Sequence, residues 1–349
     1  MDSTENQPDQ ATNEARPRRR RRGWIIGGIV AVGLLLLTAA SLALVLLVGL
    51  GSDGGRSATA PAAFEEEYIQ GEGSDKIAVI PVEGTIASAD SSVSEQLPTT
   101  TPDGLRDALR QAEEDESVIA VVLEINSPGG GATASDKMYR QILDFKESSK
   151  KPVVAYFGGV AASGGYYIAT AADEIVSERT ALTGSLGVVL PLINFSEAAD
   201  DLGVKQNAIT SGEFKTMGSQ FKELSDKERK IFQSYVDDGY DQLVEVIMEG
   251  RDLPEKRVRE IADGRIYSAS RAKKLDLIDA LGDLEKAIKT SRNNADAKET
   301  QAVRYVQPES FSDLLLGRFS SSKSTPEVLL EETGLNLERK LYYLYMPGL

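Results

Sequence analysis

Apolar positions follow three regimes along the chain. From Trp24 to Leu50 run 27 uncharged residues, interrupted only by the polar side chains of Thr38 and Ser41. At about 1.5 Å per residue, a helix of this length exceeds the roughly 30 Å hydrocarbon core of a bilayer and spans it with some tilt. From Asp75 onward short apolar runs alternate with helical spacing. KIAVIPVEG (Lys76–Gly84) reads as a strand, and residues 102–115 set Leu105, Ala108, Leu109 and Ala112 on one helical face. SVIAVVLEIN (Ser117–Asn126) is a near-continuous β-branched run of the kind buried on both faces of a parallel sheet. A helix over 134–149, a strand PVVAYFG (Pro152–Gly158), a helical GGYYIATAA and a strand EIVSE (Glu174–Glu178) follow. This alternation predicts right-handed crossovers and an α/β domain. After Ser211 the pattern is mainly helical. Ser225 and Glu228 form a capping box that opens a long amphipathic helix to about Glu249, and Pro254 and Gly264 bracket another.

Charge refines the organisation. The formal net charge is −15, yet residues 1–22 carry six arginines against four carboxylates and residues 23–50 carry none, so 51–349 hold −17. Such an acidic remainder repels phosphate backbones, which sets nucleic acid aside as a partner. Arg18–Arg22 abut the apolar span and place the N-terminus on the cytoplasmic side, with residues 51 onward outside. Ala58-Thr59-Ala60 has the form of a signal-peptidase site, but the apolar stretch is nearly double the usual 7 to 15 residues of a cleaved signal, so a retained anchor is expected. The expected organisation is a basic tail (1–22), a transmembrane signal anchor (23–50), a Gly/Ala/Ser/Pro-rich tether with an acidic patch (51–74), a catalytic-size domain (75–292) and a polar segment with a C-terminal tail (293–349). The last 24 residues regain apolar and aromatic character, compatible with docking on the body, with binding a partner and with a simple chain end.

Two absences narrow the chemistry. Without cysteine there are no disulfides, thiolate metal sites or thiol nucleophiles; without histidine there is no imidazole base and no His-ligated zinc. Acid and base work falls to carboxylates, lysine, tyrosine and hydroxyls, and no metal or cofactor is expected. Two glycine-dense loops follow consecutive strands. Ser127-Pro128-Gly129-Gly130-Gly131 offers backbone amides suited to an oxyanion at the start of a helix, or is a plain strand-to-helix turn; no GKS or GKT follows to make it a phosphate loop. The second, VAASGGYYIATAAD (Val160–Asp173), puts Ser163 at the C-terminal end of a strand, where α/β sheets place ligands. It lacks the first glycine of the G-x-S-x-G elbow, and a serine among small residues serves equally as packing or a helix cap.

INSPGGG, AASGGYYIATAAD, LTGSLGVV, SGEFK and ADGRIYSASRAKKLDLIDALG, in this order, closely resemble the bacterial signal peptide peptidase A family, over residues 76–284. The length and single N-terminal span are similar to its short, single-copy form. The resemblance implies a Clp-protease-like, crotonase-type α/β fold with a C-terminal helical part. It implies a serine endopeptidase that cuts remnant signal peptides or other apolar peptides at the membrane, and ring-shaped homo-oligomers whose serine and lysine come from adjoining subunits. Carried over, Ser163 is the nucleophile and Lys215, in Ser211-Gly212-Glu213-Phe214-Lys215, the general base; the amides of Gly130 and Gly164 form the oxyanion hole. An ordinary lysine, with a pKa near 10.4, is neutral in only about one molecule in 2,500 at pH 7, so such a base needs desolvation. Ser185 and Ser211 are candidates to orient its amine, whereas Glu213 is placed to hold it protonated. Three rival readings share parts of this pattern: a stomatin-partnered Ser/Lys protease of the same fold, a crotonase-fold acyl-CoA enzyme and an inactive anchored scaffold. An extracytoplasmic domain of −17 is poor company for an anionic cytosolic cofactor.

Overall fold

The computed structural model describes residues 64–88 and 98–308, and the backbone of 342–344. The basic tail, the apolar span 23–50 and the Ala58-Thr59-Ala60 site lie outside the described residues; among these, no helix is long and apolar enough to cross a membrane. The strands are β1 (Glu65–Gly71), β2 (Lys76–Ile86), β3 (Thr99–Thr100), β4 (Val118–Gly131), β5 (Val153–Ala162), β6 (Glu174–Ser177), β7 (Leu182–Gly184), β8 (Ile266–Ser268), β9 (Ala280–Leu281), β10 (Gln301–Val306) and β11 (Tyr342–Leu344). The main sheet runs β1-β10-β2-β4-β5-β6-β9, parallel from β10 to β9, with β1 antiparallel at one edge.

Alternate residues of the central strands face opposite layers. Ile77, Val79, Val122, Val154 and Val176 pack with Ala287 and Ile288 of a helix over Leu284–Asn294. Ala78, Ile80, Val82, Val121, Leu123, Ile125 and Phe157 face the other layer. That layer comprises α1 (Pro102–Glu114), α2 (Ala132–Ser149), α3 (Gly164–Ala169), the long α5 (Asp226–Arg251), α6 (Glu255–Ile261) and α7 (Ala269–Lys274); a short α4 (Ser196–Asp201) precedes α5, and the Leu284–Asn294 helix is α8. This mixed α/β architecture with a parallel sheet is the one the strand and helix alternation implies.

Local signals explain most boundaries. Thr101 caps α1 by accepting from the Gly104 amide at 3.1 Å, and Pro102 supplies the fixed φ of a first turn. The Ser225/Glu228 capping box opens α5 as its spacing predicts. Glu228 is buried and accepts from Lys222 and from the Ser225 amide, which hold its carboxyl down at about 2.

Three elements depart from the pattern-based reading. β4 does not end at Asn126 but continues through Ser-Pro-Gly-Gly-Gly, because β2 continues beside it, pairing Thr85 with Gly129 and Ile86 with Gly130. The register shift against β2 falls between Asn126 and Gly129, across Pro128, which cannot donate to a regular ladder, and the shift against β5 falls just before it, between Ile125 and Ser127. β1 lies inside the acidic stretch read as tether, and β10 inside the segment read as polar. β10 buries Ala302, Val303 and Tyr305, while β1 is an exposed edge strand whose charges suit an edge.

An ion pair fastens the helical layer to the sheet. The Arg251 guanidinium, 8% exposed, grips Asp279 with two bonds of 2.9 and 2.7 Å, and Asp279 also accepts from the Ile175 amide at 2.8 Å. Burial raises the Asp279 carboxyl, but the Arg251 bonds and charge outweigh it and leave it below its ordinary 3.8. Asp279→Asn is expected to lower unfolding stability by about 2 kcal/mol, since Arg251 then loses its buried counter-charge. In the native protein the pair's contribution is present above the ordinary aspartate value and lost as pH falls through the lower folded one; urea titrations between pH 7 and pH 3 check both.

Candidate active site

β5 leads into Ser163. Its last residues pair with β7, Ala162 opposite Gly184, and the Ser163 amide donates to the Gly184 carbonyl at 2.8 Å. Ser163 then turns sharply, with φ 52° and ψ −114°, and its carbonyl accepts from Tyr167 to start α3. A serine held at positive φ costs on the order of 1–3 kcal/mol and persists only where its surroundings enforce it. The side chain is 1% exposed, and its Oγ has no hydrogen-bond partner among the described residues. It is a buried hydroxyl with a free proton and free lone pairs.

The glycine strand sits beside it. Ser127 pairs with Ala161, and beyond that point β4 and β5 separate. The Ser127 hydroxyl donates to the Gly84 carbonyl at 2.6 Å and accepts from the Gly129 amide at 3.1 Å, fixing how the strand bends. A Cβ at Gly130 would stand 1.9 Å from the Ile86 carbonyl oxygen, and one at Gly165 would stand 2.9 Å from the Ser127 carbonyl oxygen. Only residues without side chains let the three backbones approach this closely. Gly165, close behind Ser163 in the chain, is thereby held against Ser127, where the glycine strand begins.

Polar side chains bolt this arrangement to the body. Tyr167 of α3 donates to Asp136 of α2 at 3.1 Å, and Gln242 of α5 donates to the same carboxylate oxygen, also at 3.1 Å. Arg140 pairs with the other Asp136 oxygen. Tyr166, fully buried, donates to the Leu277 carbonyl at 2.8 Å. The helix after Ser163 is thus tied to the helix after the glycine strand. Ser127, Asp136 and Tyr167 escape sequence reasoning because Gly84 lies 43 positions from Ser127, and Asp136 lies 31 from Tyr167 and 106 from Gln242.

The other sequence candidates sit elsewhere. Lys215 is exposed on a turn closed by its amide to the Gly212 carbonyl at 3.2 Å, and Ser211 is exposed on the same turn. Ser185 is half-buried at φ 50°, its amide bound to the Arg265 carbonyl. Ser163 Oγ has no hydrogen-bond partner among the described residues, so none of these three hydrogen-bonds it within one chain. Glu213 pairs with Lys227 at 2.8 Å. The stretch around Lys215 also exposes Leu202, Val204, Ile209, Phe214 and Phe221.

Residues 145–298 match Peptidase family S49, a range that contains Ser163, Ser185, Ser211 and Lys215. The chain is 32% identical over 295 residues to a relative from Enterococcus faecium named signal peptide peptidase SppA, covering 82% of this chain and 84% of that one. It is 33% identical over 239 residues to Protease 4 of Haemophilus influenzae, covering 68% of this chain and 38% of that protein. A chloroplastic serine protease SPPA from Arabidopsis thaliana is 33% identical over 254 residues, covering 71% of this chain and 37% of the plant protein. The chain therefore spans under two fifths of the latter two.

The backbone contact at Gly130 gives a direct expectation. Gly130→Ala forces β2 and β4 apart, and unfolding stability falls by about 1–3 kcal/mol. Gly131→Ala, whose Cβ would meet the Ile86 oxygen only at 3.9 Å, serves as the tolerant control in the same denaturant titration.

Proposed function

The chain belongs to peptidase family S49 and is a serine peptidase; we propose that it is a membrane-anchored endopeptidase in which Ser163 attacks and Lys215 of an adjoining subunit is the base. The observation that carries this reading is the buried, strained Ser163, whose unpartnered Oγ lies beside two glycine-bearing segments while the candidate lysine stays exposed in the same chain. An exposed lysine set in an uncovered apolar stretch supports a second copy as the element that completes the site.

The chemistry proceeds in two halves. The Lys215 amine takes the proton from Ser163 Oγ as the oxygen attacks the scissile carbonyl carbon. The amides of Gly130 and Gly164 hold the resulting oxyanion. Collapse expels the leaving amine, which receives the proton from the Lys215 ammonium and leaves an acyl-enzyme. Water then gives a proton to Lys215 and attacks the ester, and as the acid leaves Lys215 returns that proton to Ser163 Oγ. A neutral lysine has no tautomer to fix, so a third, orienting carboxylate is dispensable; Ser185 and Ser211 are the hydroxyls assigned to orient the amine.

Apolar peptides, including remnant signal peptides, are the proposed substrates. The name of the Enterococcus relative supports this, as does the apolar span that would hold the domain at the membrane, N-terminus inside and residues 75–349 outside. Protease added to spheroplasts checks the topology, and an untouched domain overturns the outward placement.

Subunit mixing tests the dyad. Ser163→Ala and Lys215→Ala are each expected to lose about 10⁴-fold or more of fluorogenic-peptide hydrolysis. Dissociated and reassembled together in equal amounts, they are expected to recover about a quarter of wild-type activity, because random rings then contain intact shared sites. No recovery from a properly reassembled mixture overturns the shared dyad. Equal activity in the wild type and both single variants overturns the peptidase mechanism itself.

A further inference from the structure

α3 is a helix of six residues, too short to hold its own place, and it starts at the strained Ser163 without a side-chain cap. Where it sits is therefore decided by what its side chains reach. Tyr166 reaches the Leu277 main chain, whereas Tyr167 reaches a side chain, Asp136 of α2. Tyr167 is also the residue whose amide donates to the Ser163 carbonyl at 2.8 Å, so it touches the nucleophile's backbone at one end and the carboxylate at the other. Asp136 in turn follows Ser135, whose buried hydroxyl donates to the Gly131 carbonyl at 3.1 Å and joins α2 to the end of the glycine strand.

The carboxylate closes a ring of bonds. Its Oδ1 accepts from Tyr167 and from Gln242, both at 3.1 Å, and the Gln242 side-chain nitrogen stands 3.4 Å from the Tyr167 hydroxyl. Oδ2 pairs with Arg140, which is mostly exposed. Packing alone does not fix this arrangement. Tyr139 meets the Tyr167 ring edge-on with centroids 5.4 Å apart, a contact that tolerates sliding, while a hydroxyl bonded to a carboxylate fixes direction and distance.

We propose that Asp136 is a positioning residue of the peptidase: through Tyr167 it sets the separation between the Ser163 turn and the Ser127–Gly131 strand, and thereby the rate of the chemical step. This rests on the assignment of Ser163 and Gly130 to the site. Asp136 touches no reacting atom in this role. Without its bond the strain at Ser163 relaxes by moving α3, and a displacement approaching 1 Å costs up to about 100-fold in rate. The loss falls on kcat rather than KM, because the geometry perturbed is that of the transition state.

Kinetics per active site test this, with sites counted by a fluorophosphonate probe of Ser163 taken to completion. Asp136→Ala is expected to lose about 30-fold of kcat and Tyr167→Phe about tenfold, each with KM within about twofold of wild type. The double variant is expected to match Asp136→Ala, because the two side chains act through one bond. Asp136→Asn keeps an acceptor for Tyr167 and is expected to hold kcat within about threefold of wild type, and Arg140→Ala, at the outer oxygen, to change it by less than about twofold.

A merely structural carboxylate lowers thermal stability and the number of titrated sites but leaves kcat per site unchanged. That result in both single variants overturns the proposal, as does a loss of about 300-fold in the double variant, the product of independent effects. If Asp136→Ala does not fold, Tyr167→Phe decides alone, since it keeps the ring and its contact with Tyr139: a loss of about tenfold supports the proposal and no loss overturns it. A wild type no more active than Ser163→Ala overturns the peptidase reading and this inference with it, whereas an active wild type with unchanged variants overturns this inference alone.

Discussion

Backbone packed on backbone at the carboxyl ends of β2, β4 and β5 is the contact on which the candidate site depends. Gly130 meets the Ile86 carbonyl and Gly165 meets the Ser127 carbonyl, each at a distance that excludes a side chain. Because interiors are close-packed, a methyl group at either position moves whole strands rather than one residue. The glycines thus set the distance between the Ser127–Gly131 strand and the turn at Ser163.

This approach would have little effect without restraint on the angles. Ser163 is held at positive φ by its amide bond to Gly184 and by the first turn of α3, whose tyrosines are anchored to Leu277 and Asp136. Asp136 stands one turn beyond the glycine strand, so a single carboxylate joins the two halves. The strain at Ser163 is sustained by the large cores on both faces of the sheet, where burial of Tyr166, Phe157, Ile125 and their neighbours outweighs it many times. Local strain of this kind is found where geometry serves chemistry.

The parallel core was legible because its strands read as apolar runs and its helices as 3.6-residue stripes with caps, signals that depend on near neighbours only. β1 and β10 were not, for opposite reasons. Glu65–Gly71 is polar because it lies at an exposed edge and buries almost nothing, so its strand character comes from pairing with β10 rather than from its own composition. Gln301–Val306 is a short strand that gains its place between β1 and β2, more than two hundred positions away in sequence. The length of β4 was hidden by Pro128 and three glycines, which read as a loop until the extension of β2 beside it turns them into strand.

By itself the sequence determined the class of chemistry. A chain without histidine or cysteine leaves acid and base work to carboxylates, lysine, tyrosine and hydroxyls, and the family resemblance singled out Ser163 and Lys215 among them. Composition also determined the −17 character of residues 51–349 and the apolar stretch ahead of them. Only the tertiary structure decided that the two glycine segments meet, that Ser163 is buried with its hydroxyl free, and that Lys215 stays exposed. The reason is physical: residue type sets what a side chain is able to do, whereas proximity across tens or hundreds of positions is set by sheet register and packing, which no local pattern encodes.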